Sequence, residues 1–260
     1  MTPARRKAIG ERILVLLLQL ACVALALGLW QLASDRGWIN PVFLSSPTDA
    51  WASFKALVRD GQLTGNILST LKVLGLGWII GLASGTALGV VMGVSRTAND
   101  FLAPFIVFAN ALPRLLFLPF FIVWLGFGLT PKIALVVVVI VFVVALMIAS
   151  GVREVGGDLL TNARVLGANR RQLAQEVYFP SILLWLLTSS RTTLGFAFQA
   201  TVAAELLGTV KGLGYLLTLS QVTVDSGGLF AVLGIMCVLG LLIDTLLGLV
   251  ERRLTQWMPV

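Results

Sequence analysis

Histidine is absent from this chain, and its two cysteines, Cys22 and Cys237, both sit inside apolar runs. Without histidine there is no Cys–His or Ser–His–Asp constellation, and two cysteines in apolar sequence supply neither a metal cluster nor a disulfide framework. Charge is scarce as well, with Asp, Glu, Lys and Arg at 12% of the residues. No G-x-x-x-x-G-K-[ST] run occurs, so the chain has no loop to cradle the phosphates of ATP and is expected to bind no cofactor. Gly212 and Gly214 form only a G-x-G, a turn signal. The chain reads as no enzyme, and any chemistry it depends on has to come from another polypeptide.

What is abundant is apolar sequence. Hydrophobic residues make up 58%, and the mean hydropathy is +0.96. Those values exclude an ordinary soluble domain and predict an all-α polytopic membrane protein. A net charge of +7 would suggest nucleic acid in a soluble chain. Here it matches basic cytoplasmic loops, and no basic–aromatic patch suggests a nucleic-acid partner.

About six spans are expected. Arg5, Arg6, Lys7 and Arg12 precede an apolar run from Ile13 to about Ala33. A cleavable signal peptide is the rival reading, but the run is long and Gln31-Leu32-Ala33 lacks a small-x-small cleavage pattern. Residues 1–33 are therefore a cytoplasmic tail and span 1. Residues 34–64 form a periplasmic segment, in which Trp51, Phe54, Leu57 and Val58 fall on one face of a helix from Pro47 to Asp60, with Lys55 and Arg59 opposite. Residues 65–253 form the core with the other five spans, at about 70–94, 101–127, 132–151, 181–207 and 229–250, and 254–260 are a tail. In span 2 glycines recur at 77, 81, 85, 89 and 93, a row suited to close helix packing, with a ligand groove as the alternative. Span 3 holds Pro104, Pro113 and Pro119, so its backbone ladder is broken and must sit inside protein or beside a cavity. The N-terminal basic cluster, Arg96, Arg153, Arg164, Arg170, Arg171, Arg252 and Arg253 fall on one side of this topology. Arg36, Lys55, Arg59, Lys132 and Lys211 fall on the other. The richer side is the cytoplasm, which places both termini and the loop at 152–180 inside.

That loop contains the run Thr161–Pro180, TNARVLGANRRQLAQEVYFP. Gly167, Val177, Phe179 and Pro180 stand at the spacing of the signature loop of ABC importer permeases, which it resembles. Thr161-Asn162-Ala163 stands where Glu-Ala-Ala is usual, so the acidic residue is missing. Leu44-Ser45-Ser46-Pro47, the stretch from Leu112 to Gly128 and Ala203–Gly208 with Gly212–Tyr215 are similar to the nitrate, sulfonate and taurine branch. The resemblance implies a type I importer permease fold. It also implies two copies of a separate ATPase that bind ATP and Mg, a periplasmic or lipid-anchored solute-binding protein, and a second permease copy in a homodimer. All would sit in lipid, at the bacterial inner membrane. In the family this loop docks on the ATPase, which gives Ala163, Arg164, Leu166, Gly167, Ala168, Arg170, Arg171, Glu176 and Pro180 as coupling residues. The implied solute is small and anionic, with a vitamin precursor or aromatic compound as the alternative.

Polar groups in the spans are the remaining candidates. Arg114 and Arg191 lie about 20 and 15 Å into their spans, near the middle of a ~30 Å core. A guanidinium there needs a partner or a wet cavity. One reading has them line a path with Asn110, Gln199, Thr201 and Glu205. The other is structural: Arg191 pairs with Asp244, and Arg114 binds a backbone carbonyl freed by a proline. An ion-coupled secondary transporter is the alternative class, but it predicts inverted repeats and a relay of acids, and neither is visible.

Overall fold

The computed structural model describes residues 3–154, 165–207 and 210–255, and among them every regular element is helical. The longer ones in chain order are α1 (Pro3–Asp35), α2 (Pro47–Arg59), α3 (Gln62–Val94), α4 (Arg96–Ala111), α5 (Phe117–Leu125), α6 (Leu129–Glu154), α7 (Phe179–Leu206), α8 (Leu213–Val222) and α9 (Ser226–Thr255). The chain divides into two compact units, Met1–Leu63 with Leu217–Gly234, and Thr64–Leu216 with Ile235–Val260.

In the first unit α1 carries almost only apolar side chains from Ile13 to Trp30. Leu14, Leu16, Leu17, Leu18 and Leu20 are each 57% to 65% exposed. At 100° per residue, neighbours exposed in succession leave no polar face, which suits a helix bathed in lipid. The start of α2 follows from local chemistry. The Ser46 hydroxyl accepts the Asp49 N–H at 3.0 Å, the Asp49 carboxylate receives the Ser46 N–H, and Pro47 takes the first helical position. Those Ser46 hydrogen bonds hold the Asp49 carboxyl below its ordinary range. On the expected apolar face Phe54 and Leu57 are half-buried, whereas Trp51 and Val58 remain exposed, with Trp51 stacked on Phe54.

The second unit is built on a close fit between α3 and α6. Gly77, Gly81, Gly85, Gly89 and Gly93 meet Val136, Ile140, Val144, Ile148 and Val152 in order, so the glycine row packs helices and lines no groove. A Cβ on Gly85 would stand 2.7 Å from Val144 Cβ and 2.8 Å from the Val141 carbonyl. Both rows step by four residues, so the β-branched ridge runs along the glycine track and the two helices are parallel. In lipid, where apolar burial drives little, such backbone proximity supplies the attraction. α6 also packs extensively along α7. Trp185 occupies the space a Cβ would need at Gly151, whereas Glu205 reaches Thr70 near the start of α3, so α7 runs antiparallel to both.

By length and composition four of the described helices can cross a membrane: α1, α3, α6 and α9. The α4–α5 pair, bent by 83°, makes a fifth. The break falls at Leu112–Pro113, and a 3-10 turn at Arg114–Leu116 restarts the helix. Pro113 lacks the N–H that would continue the ladder. The sixth long element is α7, whose 28 residues reach about 42 Å although its polar side chains lower its hydropathy.

Candidate translocation path and coupling loop

The described part of the signature loop begins at Val165, and Ala163 and Arg164 lie outside the described residues. Gly167 has φ +87°, a left-handed value that glycine adopts without strain. Asn169 then caps a helical turn at Arg170–Gln172: its side-chain oxygen accepts the Gln172 N–H at 2.9 Å, and Gln172 Oε1 accepts the Asn169 N–H at 2.8 Å. The reciprocal pair is a capping box that the sequence carries as N-R-R-Q. The backbone passes through a π stretch at Leu173–Tyr178 into α7, where Pro180 stands in the first turn. A proline N cannot donate to the carbonyl four residues back, and a widened turn beside it fits that gap. Ala168 is half-buried, and Arg171, Glu176 and Pro180 are exposed. The apolar pair Val165 and Leu166 stands out at 81% and 87% exposed.

Along α7, Leu184, Thr188, Arg191, Thr192, Gly195, Phe196 and Gln199 share one exposed face. Arg191 meets Asp244 of α9 through two hydrogen bonds, Nε to Oδ1 at 3.1 Å and Nη2 to Oδ2 at 2.9 Å. A cleft of about 110 Å³ opens beside this pair, floored by Leu194, Phe198 and Gly240. Thr201 and Glu205, 0% and 1% exposed, point away from that face and line no open path in this conformation. Asn110 and Arg114 are half-buried at the α4–α5 break. Arg114 donates to Asn110 Oδ1 and to the Val139 carbonyl of α6, so the carbonyl it finds is not one freed by a proline in its own span.

Sequence reasoning missed the surroundings of Glu205. Thr70 donates to its carboxylate, and Gly214 reaches it with a backbone N–H. Lys132, expected at the outer end of span 4, is 3% exposed within α6 and donates to the Lys211 carbonyl at 3.1 Å. Only the acid itself was a signal, because its partner Thr70 lies 135 residues away.

The family model for the binding-protein-dependent transport system inner membrane component matches residues 85–256, about two thirds of the chain. The chain belongs to this family. It is the permease subunit of an ABC importer, a multi-pass inner-membrane protein that works with a solute-binding protein and leaves ATP hydrolysis to a separate ATPase, and the ion-coupled alternative is not favoured. An ABC transporter permease of Brucella melitensis biotype 1 is 33% identical over 92% of this permease and 96% of its own length. A Bacillus subtilis strain 168 protein described as an aliphatic sulfonates transport permease is 30% identical over 90% and 85%. The taurine transport system permease of Escherichia coli K12 is 28% identical over 92% and 89%. Among solved structures, an inward-facing MetNI methionine ABC transporter superposes with TM-score 0.66 at 21% identity, covering 75% of this permease and 97% of that chain, a likeness of fold.

Proposed function

We propose that this permease carries a small anionic solute of the sulfonate class along the exposed face of α7. Two relatives that match nearly end to end are named for aliphatic sulfonates and taurine, and that observation carries the solute class. Thr188, Thr192 and Gln199 offer hydrogen bonds, and the Arg191 charge is balanced by Asp244, so the face is polar without being a trap. Tight selection then belongs to the solute-binding protein. Two copies pair so that this face is covered from lipid, as the cost of open polar groups in a bilayer requires. Asn110 and Arg114 border the path at the α4–α5 break. The loop at 161–180 faces the cytoplasm with both termini and seats on the ATPase, which holds ATP and Mg. The test is calorimetry on the partner solute-binding protein, followed by uptake into proteoliposomes holding the whole transporter. Taurine or an alkanesulfonate is expected to bind and to be imported only with ATP. Binding of riboflavin or an aromatic acid in its place overturns the solute class.

A further inference from the structure

The carboxylate of Glu205 serves neither the path nor the coupling loop, yet α3 and the Gly212–Gly214 turn both bond to it from outside α7. Its oxygens accept the Thr70 hydroxyl at 2.8 and 3.1 Å, and Oε2 accepts the Gly214 N–H at 3.1 Å. Thr70 Oγ1 in turn accepts the Leu213 N–H at 2.9 Å, and Asn66 Oδ1 accepts the Gly212 N–H at 2.7 Å. Three successive amides of one turn are therefore held by side chains of α3 and α7. Lys132 of α6 donates to the preceding carbonyl, that of Lys211. Both glycines of the turn are required by proximity. A Cβ on Gly212, whose φ is +123°, would occupy the carboxylate's place, and one on Gly214 would stand 2.5 Å from Glu205 Cβ. A buried carboxylate this well supplied with donors fixes its neighbours in one arrangement.

We propose that Glu205 is a positioning residue for transport, clamping the Gly212–Gly214 turn to the end of α7 so that helix and turn move as one body. α7 is a rod of about 42 Å. One end continues from the Arg170–Tyr178 stretch, and the clamp closes the other. A displacement entering at Phe179 is delivered to the turn and is not absorbed in a slack connection. This deepens the importer reading and rests on it, because force has to enter at the loop.

The experiment uses the whole transporter in liposomes, with Glu205→Ala, Thr70→Val and Thr70→Ser in the permease. Amide exchange at Leu213 and Gly214 reports the clamp without reference to transport. Glu205→Ala and Thr70→Val are expected to speed that exchange at least tenfold, and Thr70→Ser, which keeps the hydroxyl, to leave it near wild type. Solute imported per ATP hydrolysed should fall at least fivefold in the first two, with assembly and ATP hydrolysis within twofold of wild type, and should be retained in Thr70→Ser. If the turn loosens and the import ratio holds, the proposal is wrong. It is equally wrong if uptake, hydrolysis and assembly decline together, since that is a loss of stability alone. Should Glu205→Ala fail to assemble, the Thr70 pair decides. A wild-type transporter that neither imports nor binds an ATPase sinks the importer reading and this proposal with it, while the exchange data still report whether the clamp exists.

Discussion

Arg191 and Asp244 are each about half exposed, at 53% and 51% of their side chains, and they cancel one another's charge on a helix face that crosses lipid or pore. Their geometry is the two-pronged guanidinium–carboxylate match that arginine makes and lysine cannot. The value of such a pair shows in what happens when half of it is removed, because the remaining ion has lost its countercharge in a poor solvent. Arg191→Ala alone is therefore expected to lower the melting midpoint and the yield of the detergent-purified permease. Arg191→Ala with Asp244→Ala should recover more than half of that loss. Size-exclusion thermal melts of the two single variants and the double variant make the comparison. A double variant as poor as either single one means that charge pairing is not what the two residues supply.

At the scale of elements, the α3–α6 seam turns a row of five glycines into a fold. Adding bulk to a tight seam costs about 1–3 kcal/mol through forced shifts of backbone and rotamers. Gly85→Val, directed at the Val141 carbonyl and Val144, is expected to reduce folded yield several-fold and to lower the melting midpoint by several degrees. Gly75 is the control, since a Cβ there meets nothing within 4 Å and alanine suits a helix better than glycine. Gly75→Ala should melt at or above wild type, and equal damage from both substitutions would remove the seam as the explanation. This seam was legible in the sequence because glycine at every fourth position has few uses in a span other than close approach. The Arg191–Asp244 pair was legible too, from two charges at similar depth. The Glu205 clamp was not. Thr70 and Lys132 look like an ordinary span residue and a cation at an outer span end until the chain folds, α3 and the Gly212 turn meet at one carboxylate, and Lys132 of α6 holds the Lys211 carbonyl beside them. Pro113 predicted a break in span 3, but the 83° between its halves is a matter of packing that no local pattern encodes.

At the scale of the whole molecule, an importer permease has to receive work from its ATPase, and the described part of the signature loop has an exposed apolar pair to offer a partner. Val165 and Leu166 are more than four-fifths exposed, next to the left-handed Gly167 and the Asn169 cap that fix the loop's path. Exposure of that kind in a well-defined turn costs little in the isolated chain and becomes useful when a partner covers it. Burying one leucine is worth roughly 1.5–3 kcal/mol, and about 1.4 kcal/mol is a factor of ten in affinity. Leu166→Asp should therefore weaken association with the ATPase subunit at least tenfold, as read by binding of that subunit to the permease in nanodiscs. Its melting midpoint should not move, because Leu166 is 87% exposed. Leu173→Asp provides the contrast: this residue is 7% exposed, just beyond the cap, so the substitution should cost stability as well as binding. If Leu166→Asp binds the ATPase as wild type does, the loop's apolar pair is not the seat of coupling, and the search for it moves to Arg171 and Glu176 on the helical side of the cap.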